Sequence, residues 1–140
     1  MSKSTARGDE PASGDAPRKW LWFRTTRDGR SVAEKEFFKL PAAAAAALQA
    51  KMSRFASKTS RRQDVDHLGD GIYEIRARIG NDHYRVLFFA WGPHLVVLSA
   101  FYKNQRATPK QDIDTAKARR TNWRNTFGDE RRSAEWPSTE

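Results

Sequence analysis

Between Ile72 and Tyr102 the chain carries three apolar segments separated by short turns, and this pattern constrains the fold more than any other feature. The first segment alternates, with apolar residues on one face and charged residues on the other, which is the period of a half-buried β-strand. The next two are rich in Val, Leu and Phe, and the turns between segments contain glycine, asparagine or proline. We therefore predict a three-stranded antiparallel meander with strands at 72–79, 84–91 and 94–102.

A strand and two helices are predicted before the meander. The aromatic run at 20–23 ends at a turn at 27–29, and Ser31-Val32-Ala33-Glu34 has the form of a capping box that begins a helix. Phe37, Phe38 and Leu40 give that helix one apolar side. Pro41 fits the first turn of a second helix, because six alanines and a leucine follow it.

After the second helix, a polar link through Asp64, Asp66 and Gly69 leads to the meander. Beyond the meander, Thr108 is an N-cap candidate and Pro109 fits the first helical position, so a last helix should run to about Arg124. The fold class is therefore α+β: an antiparallel sheet in the order strand, two helices, three-strand meander, C-terminal helix.

Length and composition exclude several classes of protein. The 140 residues suit one domain, which we place at 18–127, with flexible tails predicted at 1–17 and 128–140. The absence of cysteine excludes a disulfide scaffold, a thiolate zinc site and a cysteine nucleophile. A net charge of +9, from 26 Lys and Arg against 17 Asp and Glu, favours a polyanionic partner, although charge also serves solubility.

No membrane or targeting segment is predicted. The uncharged run at 86–102 is long enough to suggest a membrane span, but Gly92-Pro93-His94 interrupts it, which favours two buried strands. The first seventeen residues contain no apolar stretch typical of a signal peptide. We therefore expect a cytoplasmic protein.

Arginines gather on the charged face of the meander. If Ile79 pairs with Tyr84, Arg78 lies opposite Arg85, and Arg76 shares their face. Pairing Ala90 with Leu95 then places Ala100 beside Arg85 and brings Tyr102 out on the same face. Two interpretations stay open: an anion such as phosphate lies between the cations, or the arginines face solvent and pair with Glu74 and Asp82.

Other polar groups give weaker signals. His67, His83 and His94 lack the close spacing of metal ligands, so no metal site is predicted, although His83 adjoins the arginines and could titrate near neutral pH. Five basic residues and no acidic one lie between Lys51 and Arg62. A second basic region, 103–132, could hold RNA with Trp123 stacking on a base, but Trp123 fits a core anchor better.

Three segments in order, GIYEIR at 71–76, HYRVLF at 83–88 and LSAFYKNQRATP at 98–109, resemble the RelE/ParE toxin superfamily, in particular its phage-derived, HigB-like branch. The resemblance extends over about 20–123 and implies a type II toxin held by an antitoxin, commonly of the helix-turn-helix kind. It also implies cleavage of mRNA on the ribosome without metal or cofactor, in which the 2′-hydroxyl attacks the adjacent phosphate. The products would be a 2′,3′-cyclic phosphate and a 5′-hydroxyl. The toxin would be a monomer or part of a toxin–antitoxin hetero-oligomer.

The same resemblance implies roles for individual residues. Arg85 would stabilise the phosphorane, Arg76 would lie beside the scissile phosphate, and Lys103 would neutralise the leaving 5′ oxygen or bind phosphate. Arg78 and Arg106 are expected to contact the RNA backbone, and Tyr102 to stack on a base. Glu74, His83 and Tyr102 are candidate general bases, because Glu74 stands where RelE itself has a lysine and the C-terminal tyrosine of RelE has no counterpart.

Two other functions fit the same scaffold. A ParE-like toxin would bind and inhibit gyrase without cleaving RNA, and a phage regulatory protein would bind nucleic acid without catalysis. Substitution of Arg76 or Arg85 should abolish the activity of an RNase steeply, whereas a purely electrostatic binder should lose affinity gradually and with salt.

Overall fold

The computed structural model of the chain describes residues 17–129. The predicted tails, 1–17 and 128–140, therefore fall almost wholly outside the described residues. Within these residues the elements follow one another in a strand–helix–helix–sheet–helix order. They are β1 (Lys19–Trp22), α1 (Val32–Phe38), α2 (Ala42–Ala56), a 3₁₀ turn (Arg62–Asp64), β2 (Val65–Gly69), β3 (Ile72–Ile79), β4 (Asp82–Trp91), β5 (His94–Tyr102) and α3 (Lys110–Phe127).

The α+β class is confirmed, but the sheet is mixed rather than antiparallel. Its strand order over the described residues is β1-β5-β4-β3-β2. β1 runs parallel to β5, pairing Trp20 with Leu95 and Trp22 with Val97, and all other neighbours are antiparallel. A short aromatic run specifies a strand but carries no information about its direction, because that depends on which distant strand it joins.

The segment predicted as a polar link contains a strand, β2. It pairs antiparallel with β3, with Val65 opposite Ile75 and His67 opposite Tyr73. The prediction failed because β2 is an edge strand with exposed polar residues, so it lacks apolar alternation. The missed signal was the Asp70-Gly71 pair, whose positive φ angles of 53° and 76° suit a two-residue hairpin turn.

The helix starts differ slightly from the predictions. The Ser31 hydroxyl accepts a hydrogen bond from the Glu34 amide and caps α1, as predicted. Pro41 and Pro109 occupy the N-cap positions of α2 and α3 rather than their first turns. Thr108 therefore does not cap α3, and its hydroxyl instead donates a hydrogen bond to Glu74.

The core lies between the sheet and the helices on its two faces. Leu48 and Met52 of α2 are buried, as is Trp123 of α3, which confirms Trp123 as a core anchor. Phe38 was predicted to share an apolar side with Phe37, but it is 59% exposed. None of the described helices is long and apolar enough to cross a membrane.

The turn between β3 and β4 is shorter than predicted, which changes the register of the arginines. Only Gly80 and Asn81 lie outside the ladder, and Gly80 takes the positive φ of 63° that such a turn needs. As a result Arg76, not Arg78, lies opposite Arg85, and Arg78 lies opposite His83.

A bulge in β5 corrects a second expectation. Ala90 pairs with Leu95 as predicted, but the register shifts where Phe88 pairs with Val97 and Leu87 with Ser99. Beyond the bulge Arg85 lies opposite Phe101, and Tyr102 lies opposite Tyr84. Since paired residues share a face and neighbours alternate, Tyr102 projects from the face opposite to that of Arg85.

Candidate functional site

One face of the β3–β4 ladder brings together five of the candidate site residues named in the sequence analysis. Alternation places Glu74, Arg76 and Arg78 on the same side of β3, and the register adds His83 and Arg85 of β4 to that side. The segment 103–109, which joins β5 to α3, lies over this face and contacts it through hydrogen bonds from Arg85. The prediction that the three arginines share a face is therefore confirmed, whereas their predicted pairing and the placement of Tyr102 on this face are wrong.

Glu74 is the centre of this face and is only 1% exposed. Its Oε1 accepts a hydrogen bond from Arg76 Nη2 at 2.9 Å, and its Oε2 accepts one from the Thr108 hydroxyl. Arg85 Nη1 lies 3.6 Å from Oε2 and donates to Thr108 Oγ1 at 3.0 Å. Both carboxylate oxygens are thus engaged within the protein.

Arg85 lies beneath the surface, with its side chain fully buried. Besides Thr108 and Glu74 it contacts the Arg106 carbonyl, to which Nη2 donates at 3.4 Å. Burial lowers the pKa of Arg85, while the nearby Glu74 carboxylate opposes that shift. In this conformation the guanidinium contacts protein groups rather than solvent.

The structure explains how two arginines can face each other across the ladder. Like charges directly opposite are unfavourable, but the Glu74 carboxylate lies within ion-pair distance of both Arg76 and Arg85. The pairing with Glu74 that was expected for a solvated face is therefore present. Asp82, the other expected partner, instead accepts a hydrogen bond from the Tyr102 hydroxyl at 3.1 Å.

Around this buried centre the basic side chains are accessible. The Arg76 side chain is 26% exposed and that of Lys103 is 45% exposed. Arg78 and Arg106 are exposed, and Arg78 donates to the carbonyl of Gly80 in its own turn. The site is therefore a positively charged surface, beneath which the buried Glu74 carboxylate pairs with Arg76 and Arg85.

His83 lies among these cations and is tied to the strand that follows. Its carbonyl accepts a hydrogen bond from the Lys103 amide at 3.2 Å. Burial lowers the pKa of His83, and the positive charges of Arg76, Arg85, Arg78 and Arg106 lower it further. The lowered pKa favours the neutral imidazole, which can accept a proton.

Several side-chain nitrogen atoms of the site lack a hydrogen-bond partner. Among the described residues, Arg76 Nε, Arg85 Nε and His83 Nδ1 are buried without a hydrogen-bond partner. Arginine donors next to an exposed cationic surface suit recognition of phosphate. Within 17–129 there is no group of three or more His, Cys, Asp or Glu residues with the arrangement of a metal site.

Tyr102 is separated from this face. It is 44% exposed, its ring lies 5.3 Å from that of Tyr84, and its hydrogen bond to Asp82 raises its pKa, with burial a smaller cause. It lies at the end of β5, directly before Lys103. Its hydroxyl is protonated at neutral pH, which disfavours it as a general base.

Two residues of the site were missed by sequence reasoning. Thr108 was assigned to a helix cap, yet its hydroxyl joins Glu74 to Arg85. Asp112, in the first turn of α3, lies 3.9 Å from Lys103 Nζ. The Thr-Pro pair gave a signal for Thr108, but no sequence signal distinguishes Asp112 from other acids in the first turn of a helix.

Comparisons with known proteins identify the family of this chain. A family model described as "Phage derived protein Gp49-like (DUF891)" matches residues 35–121. Proteins named "Probable endoribonuclease HigB1", from the CDC 1551 / Oshkosh and H37Rv strains of Mycobacterium tuberculosis, are each 46% identical over 110 residues. The alignment covers 79% of this chain and 88% of theirs.

A solved structure supports the fold alone, because sequence identity is low. The free-state structure of an E. coli RelE toxin with two arginine-to-alanine substitutions has a TM-score of 0.53 and 16% identity, covering 74% of this chain and 97% of its own. The family model spans more than half of the chain, and the HigB1 proteins align with most of it. The chain therefore belongs to the phage-derived Gp49-like, HigB-type family, and it has the fold of RelE.

Proposed function

We propose that this chain is the toxin of a type II toxin–antitoxin system and an endoribonuclease that cleaves mRNA on the ribosome without a metal ion. The observation that carries the proposal is the register of the β3–β4 ladder, which gathers Arg76, Arg78 and Arg85 around His83 on one face. The relatives named endoribonuclease, with 46% identity, support RNA as the substrate.

In this proposal the accessible cations bind the scissile phosphate. Arg76, held by Glu74 and partly exposed, contacts the non-bridging oxygens and stabilises the negative charge that develops on the phosphorane. Arg78 and Arg106 contact neighbouring phosphates. Fixed guanidinium groups thus supply the positive charge that the transition state requires.

The proton transfers follow from the same geometry. His83 accepts the proton of the RNA 2′-hydroxyl as the 2′ oxygen forms a bond to phosphorus. The bond from phosphorus to the 5′ oxygen breaks, and Lys103 neutralises that oxygen and supplies its proton. Glu74 is less suited to act as the base, since both of its oxygens are engaged and the side chain is buried.

Arg85 acts in this scheme through other residues. Because it is fully buried, we assign it a positioning role: it holds Glu74, which orients Arg76, and it fixes Thr108 and the Arg106 carbonyl at the base of segment 103–109. Direct contact between Arg85 and the phosphorane, as the family resemblance implies, would require that segment to move.

In this proposal the protein binds two partners, an antitoxin and the ribosome. A toxin of this family would be inhibited by a cognate antitoxin, for which we propose the helix-turn-helix type. The ribosome would present mRNA to the basic face.

Primer extension on a reporter mRNA tests the proposal. Purified wild type, Arg76→Ala, His83→Ala and Lys103→Ala are stripped of bound metal with EDTA, desalted, and incubated with the mRNA, with or without ribosomes. We expect cuts that require ribosomes, and a loss of about 10²-fold or more in rate for each variant. Lys35→Ala, which removes an exposed charge on α1, is the matched control and should cleave normally.

Each other outcome overturns a defined part of the proposal. Cleavage of free mRNA would refute ribosome dependence. Loss of cleavage after EDTA treatment of the protein, restored by adding a transition-metal ion, would refute the metal-free reaction. Wild-type rates for Arg76→Ala and His83→Ala, with unchanged circular dichroism, would refute the site. If the mRNA stays intact and the protein inhibits gyrase, the RNase assignment is wrong and the protein is a ParE-like toxin.

A further inference from the structure

A second basic surface lies on the other face of the sheet. The end of α2, the segment 57–64 and the edge strand β2 enclose a cavity of about 750 Å³, which we call the α2–β2 groove. Its lining includes the basic residues Arg18, Lys58, Arg61 and Arg62 and the aromatic residues Phe55, His67 and Tyr73. The function proposed above uses none of these residues.

The structure divides the basic run at 51–62 into two groups. Lys51 Nζ donates to the Arg76 carbonyl at 2.7 Å, and Arg54 makes two hydrogen bonds of 2.9 and 3.0 Å to the buried carboxylate of Asp64. The bond from Arg54 is the main cause that lowers the pKa of Asp64 to about 2. These two cations therefore have structural partners.

The other basic residues of this run face the groove. Lys58, Arg61 and Arg62 are exposed, and none forms a salt bridge with an acid in 17–129. Asp64 also accepts a hydrogen bond from the Arg61 amide, which fixes the backbone that carries these cations. The groove thus presents accessible positive charge on a constrained segment.

An aromatic stack leads from the core into the same groove. The ring of Phe88 lies 5.6 Å from that of Tyr73 at an interplanar angle of 24°, and Tyr73 lies 4.6 Å from the His67 ring at 22°. His67 is exposed, and its Nε2 accepts a hydrogen bond from the Gly71 amide at 3.3 Å. The stack therefore ends in a flat, oriented ring beside the cations.

Cations next to an oriented aromatic ring suit a nucleotide of single-stranded nucleic acid, because the ring stacks on the base and the cations bind the phosphate. An acidic peptide would use the cations but gain little from the ring. The groove is distinct from the first site, since Tyr73 and Arg76 project from opposite faces of β3. They are three residues, or about 10 Å, apart along the strand, so one RNA strand passing over the β2 edge can contact both.

We propose that the α2–β2 groove binds a nucleotide of single-stranded RNA, with the base stacked on His67 and the phosphate held by Lys58 and Arg62. The identity of the ligand as RNA rests on the proposed function. The test of binding is independent of cleavage.

The experiment uses adenosine 5′-monophosphate as the probe and the ¹⁵N-labelled full chain in an NMR titration. We expect the amides of Gly69 and Gly71 to shift in a saturable way. His67→Ala should weaken binding about tenfold, and His67→Tyr, which keeps a stacking ring, should restore it. The double variant Lys58→Ala/Arg62→Ala should also weaken binding about tenfold or more. The control Lys35→Ala/Lys39→Ala, which removes the same charge from α1 and its C-cap, should not.

The outcomes separate this inference from the proposed function. Amide shifts confined to 74–85 and 103–108, or no shifts at all, would overturn the proposed binding in the groove even if the chain cleaves mRNA. Saturable shifts in the groove without any mRNA cleavage would support the groove and contradict the RNase. Equal binding by wild type and His67→Ala, with displacement by an oligoglutamate peptide, would overturn nucleotide stacking and make the groove a docking site for an acidic segment.

Discussion

At the scale of single residues, the role of each cation depends on the partner it finds. Arg76 and Arg85 are directly opposite on adjacent strands, yet Arg76 reaches solvent and Arg85 is fully buried. Glu74 makes this possible, because one carboxylate lies within ion-pair distance of both guanidinium groups. Burial lowers the pKa of His83, and the positive charges of this face lower it further.

The pKa of His83 provides a prediction at this scale. Replacing Arg76 by Ala removes a positive charge, so we expect the pKa to rise from its lowered value toward 6.5 but to stay below it, because burial is the larger cause. An NMR titration of the His83 ring protons between pH 4 and 8 measures the shift. If His83 is the base, the acidic limb of the rate profile should follow the wild-type pKa, with the rate rising as the pH passes through it.

Lys35→Ala is the control for this titration, since Lys35 is not among the cations that lower the pKa of His83. An unchanged pKa in Arg76→Ala would show that the charges of this face do not reach the imidazole. The electrostatic argument for a neutral base would then fail.

At the scale of elements, two-residue turns set the register on which the site depends. The β2–β3 turn uses Asp70 and Gly71, and the β3–β4 turn uses Gly80 and Asn81. α3 holds the first of these turns, because Arg120 donates to the Asp70 carbonyl and to its carboxylate. Both glycines have a positive φ, which a side chain makes unfavourable.

Substituting each of these glycines by alanine distinguishes the loss of stability caused by backbone strain from the loss caused by a close contact of the new Cβ. Gly80→Ala adds a Cβ with no atom within 4 Å, so we expect it to lower the free energy of unfolding by about 1–2 kcal/mol through strain alone. In Gly71→Ala the new Cβ lies 3.3 Å from Arg120 Nη1, so the loss should be larger. Urea unfolding of both variants measures the difference, and an equal or smaller loss in Gly71→Ala would contradict the predicted contact.

At the scale of the whole molecule, an ion pair joins helices that are distant in sequence. Arg119 of α3 makes hydrogen bonds of 3.0 and 2.9 Å to the two carboxylate oxygens of Glu36 in α1, and donates to the Leu98 carbonyl at 2.8 Å. Glu36 also accepts a hydrogen bond from the Ala100 amide. This cluster fastens both helices to β5 near its bulge.

A double-mutant cycle tests the contribution of this cluster to stability. For Arg119→Ala, Glu36→Ala and the double variant we expect a coupling energy of about 1–2 kcal/mol in urea unfolding, because the pair is bidentate and partly buried. The matched control is the exposed pair Lys110–Asp114 on α3, for which about 0.3–0.5 kcal/mol is expected. A coupling no larger than that of the control would contradict the role assigned to this pair.

The sequence by itself determined the strands and helices other than β2, and which residues of β3 share the charged face. Alternation in β3 placed Glu74, Arg76 and Arg78 on one side, because successive side chains of a strand point to opposite faces. The three motifs of the meander also determined the family. These properties are local, or depend on the order of motifs along the chain, so no tertiary contact is needed to read them.

Only the tertiary structure decided which residues oppose one another and which are buried. A two-residue turn put Arg76 rather than Arg78 opposite Arg85, and the β5 bulge moved Tyr102 to the other face. The Thr108 hydroxyl bonds to Glu74 and lies between Glu74 and Arg85, instead of capping α3. The segment 65–69 forms a strand because it pairs with the edge of β3. Register and burial depend on partners far away in sequence, and a shift of one residue turns every side chain to the opposite face.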